Sequence, residues 1–487
     1  MVASGPHDRK GIGILTILTI AALCFALYVL LRQDVFYRED GYQLVHHHLA
    51  KGRSWHDVHP LYLPVLAWFQ RLVSMEGWNE FEVASMFSAA SVAFCVLMVG
   101  LTARRAGLQA REGVPWMLLT GLCPGVTFFA TVVEFHGFFL AFVGICFWQA
   151  ERLVSGEPPP HRWLSAGLLG LGTALATAAH ASGHLLVPLL GAWVIARRDR
   201  LDRLPELIAF AATHMVLYLV GLAVVDVVLG LPRHAAGRSA EWLSEWIDVG
   251  AIFGRVLPSL WHEVLVPFAP LNLALVWTVL RAWPNPPTLL QVRVGAAAFG
   301  LYWLAALLIL ADPNDGSAIV EHGAYLLPLA IPAAYWVARR LEPVWLDLLV
   351  LASLALAWNA IDLHGYENRG QQDAAMAAGF ATLGLGPEDV VICGPEESMG
   401  LYIQGATCKQ VMVLDCAEWS SGTAAGVVVK MREQLAEGRR ILVTQRALDL
   451  LGDARLGPEA QIFGVALMQF ERGPAVVGNG AVLELHP

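Results

Sequence analysis

Charge is scarce in this chain. Only 15% of its 487 residues are charged while 56% are hydrophobic, and the mean hydropathy is +0.54. A soluble protein carries about 25% charged residues. This composition excludes an ordinary soluble enzyme, and apolar runs near 20 residues predict an α-helical polytopic membrane protein with the lipid bilayer as a partner.

Other residue types and patterns are missing too. Lysine supplies four of the 32 basic residues, a hint of a GC-rich bacterial genome. No pair of the seven cysteines has metal-site spacing, and a disulfide among Cys393, Cys408 and Cys416 stays open. The segment 394–400 follows a predicted strand but matches neither a dinucleotide fingerprint nor a P-loop. We therefore expect no nucleotide cofactor and no nucleic-acid partner.

The apolar runs predict about eleven spans. The first is retained as an anchor, because no small-residue cleavage site follows it before Arg32. The predicted ranges are 12–31, 83–102, 114–131, 136–150, 163–180, 184–197, 206–230, 263–281, 293–311, 323–338 and 345–361. Pro328 and Pro332 predict a kink in the tenth span.

Basic residues predict the orientation. They gather in alternate loops that share one side with the N-terminus, namely Arg104, Arg105, Arg111, Arg152, Arg162, Arg197, Arg198, Arg200, Arg203, Arg281, Arg293, Arg339 and Arg340. The positive-inside bias makes that side cytoplasmic and the C-terminus external. We expect a bacterial inner-membrane protein whose active site faces the periplasm or exterior.

Polar residues concentrate in the predicted first outer loop, 32–82. If a helix begins near Asp40, then Asp40, Gln43 and His47 share one face. One small polar substrate could then meet a carboxylate, an amide and an imidazole. The alternative is a solvated acidic loop. The segment 60–73 is too short to span and predicts an interfacial amphipathic helix.

Further ionisable residues fall in other predicted outer turns. Glu134 and His136 stand two residues apart between spans, where they could form an acid/base pair or hold a divalent metal such as Mg or Mn. A turn at 180–184 and a loop ending at Glu321–His322 add more. Each residue alone is more typical of a loop, whereas convergence of several turns predicts a cavity.

The C-terminal region, 362–487, differs from the membrane domain, 1–361. Its pattern predicts strands at 389–393, 410–415 and 440–445 and helices at 422–438 and 446–452. Strands that alternate with helices predict a small α/β domain with a parallel sheet. The orientation places this domain outside the cytoplasm.

The layout resembles the GT-C superfamily of membrane glycosyltransferases, which includes protein O-mannosyltransferases and the aminoarabinose transferase of lipid A. Glu39–Asp40 stands where that family carries an acidic motif after span one. The His59-Pro-Leu-Tyr62 stretch resembles a His-Pro-aromatic element of some branches. Glu134 with His136 stands where a second outer acidic motif often lies.

The resemblance implies transfer of a sugar from a polyprenyl-phosphate donor to a glycan, lipid or protein acceptor. Asp40 is then the base, with Glu39 as its substitute. Arg38, His59 or a bound metal would neutralise the phosphate, and Asp40, Glu134 and His136 are the candidate metal ligands. Substrate-binding candidates further include Gln43, His47 and His322.

Two other classes stay open. A transporter or flippase places ionisable groups near the bilayer midplane, often within internal repeats. No repeat is present here, and His214 and Asp226 are the only mid-span ionisable exceptions. A non-catalytic scaffold using the α/β domain is the other alternative.

Overall fold

The structure is a computed structural model. It describes residues 11–33, 41, 44–45, 59–73, 80–154, 159–229, 260–281, 288–310, 323–340, 347, 350–359, 375–386, 388–394, 410–413, 424–451, 457–472, 476–477 and 481–486.

Helices dominate the described residues before position 360. They are α1 (Ile14–Leu30), α2 (Tyr62–Val73), α3 (Glu80–Arg105), α4 (Ala110–Gly121), α5 (Pro124–Thr131), α6 (Phe135–Val154), α7 (Pro159–Ala179), α8 (Leu186–Arg198), α9 (Leu204–Leu229), α10 (Leu271–Arg281), α11 (Leu289–Leu310), α12 (Ala330–Arg340) and α13 (Val350–Asn359). Short 3-10 segments at Ala181–Leu185 and Ala324–Leu329 and a π-helix at Leu260–Leu265 lie between them.

Within the described ranges, three helices are long and apolar enough to cross a membrane. They are Phe81–Arg105, Phe135–Val154 and Leu204–Val224, where the sequence predicts spans. A fourth is added if α4 and α5, bent by 58°, count as one span. Shorter apolar helices occur at Ile14–Leu30, Leu289–Leu304 and Val350–Asn359. The total of eleven spans and their orientation stay predictions.

Three predicted spans are not continuous α-helices. The span at 114–131 bends between α4 and α5 because Pro124, at the first position of α5, cannot continue the preceding helix. Residues 263–281 form a π-helix, a turn containing Pro267 and Pro270, and only then α10. In the tenth span the predicted kink takes the form of a 3-10 segment around Pro328 that leads into α12.

Buried aromatic and small residues form the core of the bundle. The largest fully buried side chains in it include Trp116, Phe128, Phe129, Phe139 and Phe147. The indole Nε1 of Trp116 donates to the Ile331 carbonyl at 2.9 Å and so joins α4 to α12. This bond satisfies the one polar atom of a side chain that otherwise contributes apolar area.

The predicted cytoplasmic end is held by buried charges. Arg197 donates to both carboxylate oxygens of Glu151, at 2.7 and 3.3 Å, and also to the Tyr335 hydroxyl. Such a bidentate pair is stronger and more directional than a single bond. Glu151 lies fifteen residues after His136 on α6, about 22 Å along the axis. This ionic layer is therefore far from the first turn of α6.

The C-terminal region contains a sheet with strand order β2-β1-β3-β6-β4, and β5 pairs with β6. Its strands are β1 (Val390–Cys393), β2 (Gln410–Val413), β3 (Ile441–Thr444), β4 (Glu471–Arg472), β5 (Val476–Val477) and β6 (Ala481–His486). β1 pairs in parallel with β2 and β3, within the ranges where the sequence predicts strands. The antiparallel strands β4 to β6 have no counterpart in the sequence prediction.

Candidate functional site

Glu134 and His136 form a buried pair at the turn between α5 and α6. Glu134 Oε2 accepts from His136 Nδ1 at 2.8 Å and from the His136 backbone N–H at 3.3 Å. The two residues are only 4% and 5% exposed. Because a carboxylate accepts from Nδ1, a neutral His136 ring carries its proton there and leaves Nε2 as an unprotonated acceptor.

Among the described residues, polar atoms near this end of the bundle are buried without a hydrogen-bond partner. They include His136 Nε2, Tyr62 Oη and Gln33 Oε1. Gln33 ends the first span beside the same turn, since its backbone N–H donates to the Thr131 carbonyl at 3.0 Å. Buried polar atoms in folded proteins nearly always have partners. These three atoms are therefore candidates for bonds to a polar ligand or to water.

His180 adds a second imidazole from the turn after α7. Its Nδ1 lies 2.7 Å from Ser182 Oγ and accepts from the Ser182 backbone N–H at 3.3 Å, which caps the 3-10 segment. The ring centroid is 4.3 Å from that of His136. Burial, followed by the nearby His136 and His59, lowers the pKa of His180 well below its ordinary value. The ring is therefore neutral at pH 7.

Glycine at position 183 permits this placement. A Cβ built on Gly183 would lie 2.6 Å from Thr177 Cα in the last turns of α7. The 3-10 segment thus packs directly against the helix backbone, which only a residue without a side chain allows. This close approach fixes His180 at the end of α7.

His59 brings the predicted first outer loop into the same cluster. Its ring stacks on His180 at 4.8 Å and 9° and lies 3.9 Å from the Phe135 ring. The Leu61 backbone N–H donates to the Ala178 carbonyl at 3.2 Å, so the start of α2 is tied to the end of α7. The three imidazoles of His59, His180 and His136 therefore form one row.

Tyr62, on the first turn of α2, is fully buried beside this row. Its ring packs edge-on against Phe87, Phe135 and Phe138. Burial, and then the charge of Glu134, raise the pKa of Tyr62. Tyr62 is therefore a neutral phenol that can donate a hydrogen bond.

Two further predicted outer segments reach the cluster. Tyr325, in the 3-10 segment before α12, lies 5.9 Å from the His136 ring and 6.0 Å from the His180 ring. Leu44 and Val45 belong to the same buried apolar cluster as Tyr62, Val133 and Phe135. Leu44 and Val45, which follow Glu39–Asp40 in the sequence, and Tyr325, which follows His322, thus both lie at this end of the bundle.

The predicted site residues divide into two groups. The structure brings His59, Glu134 and His136 together. Outside the described residues lie Arg38, Glu39, Asp40, Gln43, His47 and His322. The predicted helix face of Asp40, Gln43 and His47 lies there as well.

The described residues of the site provide only part of a set of metal ligands. Glu134 and His136 could supply two ligands, yet no three His, Cys, Asp or Glu side chains in the described part of the chain are arranged to hold an ion. Glu134 is already engaged with the His136 ring, which is how a carboxylate orients a metal-bound or basic histidine. His136 Nε2 is thus the atom able to ligate or to accept a proton.

Sequence reasoning named the turn at His180 but did not select that residue for the site, and it did not select Tyr62 or Gln33. The usable signal was position, since Gln33 and His180 stand at the predicted outer ends of apolar runs and Tyr62 belongs to the His59-Pro-Leu-Tyr62 stretch. The stacking of His59, His180 and His136 depends on lateral packing of α2, α6 and α7, which the pattern along one chain does not contain.

The described helices fit an integral membrane protein, and the chain shares its fold with a solved membrane glycosyltransferase of the GT-C kind, ArnT. The resemblance predicted from the sequence is confirmed at the level of the fold.

Two solved structures share this fold. ArnT from Cupriavidus metallidurans in the apo state superposes with a TM-score of 0.56 at 13% identity, covering 97% of each chain. The same enzyme bound to undecaprenyl phosphate gives 0.53 at 14% identity, again with 97% of each chain covered. No protein-family model and no curated protein matches the sequence.

Proposed function

We propose that this protein is a glycosyltransferase that moves a sugar from a polyprenyl-phosphate-linked donor to an acceptor at the extracytoplasmic face of the membrane. Support comes first from the fold, because the similar ArnT chain was also solved with undecaprenyl phosphate bound. It comes secondly from the position of the polar cluster at one end of an otherwise apolar bundle.

The observation that carries the proposal is the convergence of separate chain segments. His59 precedes α2, Glu134 and His136 start α6, and His180 follows α7, yet their side chains form one buried cluster. Ionisable groups buried at membrane depth are costly and mark functional sites. A scaffold protein has no need for such convergence.

Asp40 is the proposed catalytic base. Leu44, four residues later, packs in the apolar cluster that also holds Tyr62 and Phe135. A chain of four residues spans at most about 14 Å. Chain connectivity thus keeps Asp40 within reach of the cluster, and Glu39 is its neighbour.

The proposed reaction is a displacement at the anomeric carbon. Asp40 takes the proton of the acceptor hydroxyl as its oxygen bonds to that carbon, and the bond to the phosphate oxygen breaks. Arg38, His59 or a bound divalent ion would neutralise the leaving phosphate. Glu134 fixes the His136 ring, whose Nε2 then positions the acceptor or a divalent ion.

The test is Asp40→Asn in purified protein reconstituted with polyprenyl-phosphate-linked sugars and a membrane extract as the source of acceptor. Loss of a general base lowers the rate by about 10²–10⁴-fold, and we expect folding to be unchanged. Asp202→Asn is the matched control, because Asp202 pairs with Arg198 at the predicted cytoplasmic surface. Wild-type turnover by Asp40→Asn would show that Asp40 is not the base.

A further inference from the structure

A second histidine cluster lies outside the candidate site, between the 3-10 segment and α9. His184 Nδ1 is 3.0 Å from His214 Nε2, and His214 Nδ1 is 3.0 Å from Thr173 Oγ1. Thr173 Oγ1 in turn lies 3.1 Å from the carbonyls of Leu169 and Gly170. These contacts form one continuous chain of hydrogen bonds from the backbone of α7 to the His184 ring.

The chain ends at His184 Nε2, which pairs with no residue in the described ranges. With both rings neutral, two proton arrangements satisfy every inner atom. If Thr173 donates to a carbonyl, each Nδ1 donates and His184 Nε2 is an acceptor. If Thr173 donates to His214 instead, its bond to the carbonyls is lost, each Nε2 carries the proton and His184 Nε2 is a donor. The free end can therefore present either role.

The cluster lies beside the middle of the candidate span Leu204–Val224 and next to an exposed apolar surface. His214 is ten residues along α9, about 15 Å from the start of that helix, and the hydrocarbon layer is about 30 Å thick. His214 is 2% exposed, whereas its neighbours Met215 and Val216 are 50% and 59% exposed. His184 is half-buried at the border of that apolar surface.

Tyr218 flanks the same border. Its ring stands edge-on to His184 at 4.3 Å and parallel to His214 at 6.4 Å. Leu219 and Val220 continue the exposed surface along α9. A molecule that reaches His184 from the bilayer thus meets an aromatic ring and aliphatic side chains around one polar nitrogen.

We propose that His184 Nε2 is a binding site for the hydroxyl group of a neutral, long-chain membrane lipid whose tail lies along α9. A hydroxyl both donates and accepts, so either proton arrangement of the chain satisfies it. The described contacts of His184 and His214 are with each other, Thr173 and Tyr218, none of which carries a fixed positive charge, so a phosphate ester would find no counter-ion among them. The site is separate from the proposed transfer reaction and does not depend on it.

The experiment is photocrosslinking of the full-length protein in bilayers with three matched probes. They are a diazirine-bearing hexadecanol, the same chain without its hydroxyl group, and the phosphate ester of the alcohol. The expected result is preferential labelling of peptides from 204–229 by the alcohol. The alkane neither donates nor accepts a hydrogen bond, so it tests the polar contact at nearly constant tail length.

Two substitutions separate the ends of the His184 ring. In His184→Asn the amide replaces Nδ1, which keeps a bond to His214 and removes the atom at Nε2, while in His184→Gln the amide reaches the Nε2 position. We expect alcohol labelling to fall about five-fold in His184→Asn, the loss of one hydrogen bond of ordinary net strength. We expect His184→Gln to keep most of it.

His161→Asn on the exposed first turn of α7 is the matched control. Gel filtration and thermal melting check that the variants fold. Thr173→Val removes the far end of the hydrogen-bond chain and leaves His184 intact, so it should give an intermediate loss of alcohol labelling. Equal labelling by the alcohol and the alkane overturns the proposal, as does stronger labelling by the phosphate ester. Unchanged labelling in folded His184→Asn shows that the histidines serve packing alone.

Discussion

Glu134→Gln is the most informative single change at the candidate site. Glutamine has the shape of glutamate and keeps an oxygen that can accept from His136 Nδ1, but it carries no charge. Glu134 Oε2 accepts two hydrogen bonds from His136, one from the ring and one from the backbone. The substitution therefore tests the charge of the pair while preserving its geometry.

The magnitude follows from the bonds that change. A hydrogen bond to a charged group contributes about 1.5–3 kcal/mol, compared with about 0.5–1.5 kcal/mol for a neutral one. For the ring bond alone, the loss of about 1–1.5 kcal/mol weakens the orientation of the ring, and if Nε2 acts in the transition state the transfer rate falls about ten-fold. Glu134→Ala should cost more, because it leaves a buried N–H without an acceptor.

The assay is the initial rate of sugar transfer in proteoliposomes, together with thermal melting in detergent. Glu437→Gln is the matched control, since Glu437 forms a surface ion pair with Arg439 and such pairs contribute about 0–1 kcal/mol. Wild-type rate and stability in Glu134→Gln would refute the role of the carboxylate in orienting His136.

Two further predictions concern the turn that carries His180. Gly183→Ala should destabilise the protein by about 1–3 kcal/mol, because the added Cβ overlaps the α7 backbone. Gly191→Ala in α8 is the control, because its Cβ meets open space and the change should be neutral or stabilising. Equal melting temperatures for the two variants would contradict this prediction. Because the folded-state pKa of His180 is lowered, the unfolded chain binds more protons below about pH 6.5. The contribution of His180 to the free energy of unfolding is therefore fully present above that pH and falls by up to about 1.4 kcal/mol per pH unit on acidification. Between pH 7.5 and 5.5, the melting temperature should fall less for His180→Asn than for the wild-type protein. An identical fall in both would exclude His180 as the cause.

Sequence patterns predicted which residues share one end of the helical bundle. Counting apolar runs put Glu134, His136 and the turn at His180 at one end of the bundle, because alternate turns of a serpentine chain must share a side. They did not predict that His180 lies between His59 and His136. That order arises from the packing of α2 and α7 on α6 and from the absence of a side chain at Gly183.

The breaks in the predicted spans have a different origin. A hydropathy average is insensitive to single residues, so it joins 114–131 and 263–281 into continuous runs. The bend before Pro124 and the turn before Pro270 come from the missing N–H and the ring clash of proline. Composition predicted the membrane fold, while these few residues decide where its helices end.

The most direct measurement follows the lipid carrier. Wild-type protein in proteoliposomes is supplied with a polyprenyl-phosphate-linked radiolabelled sugar and acceptor extract, and the lipid products are separated. A transferase releases one polyprenyl phosphate for each sugar joined to the acceptor, and Asp40→Asn and Glu134→Gln both reduce that release. Movement of the intact lipid-linked sugar across the bilayer with no release of polyprenyl phosphate would contradict the proposed function.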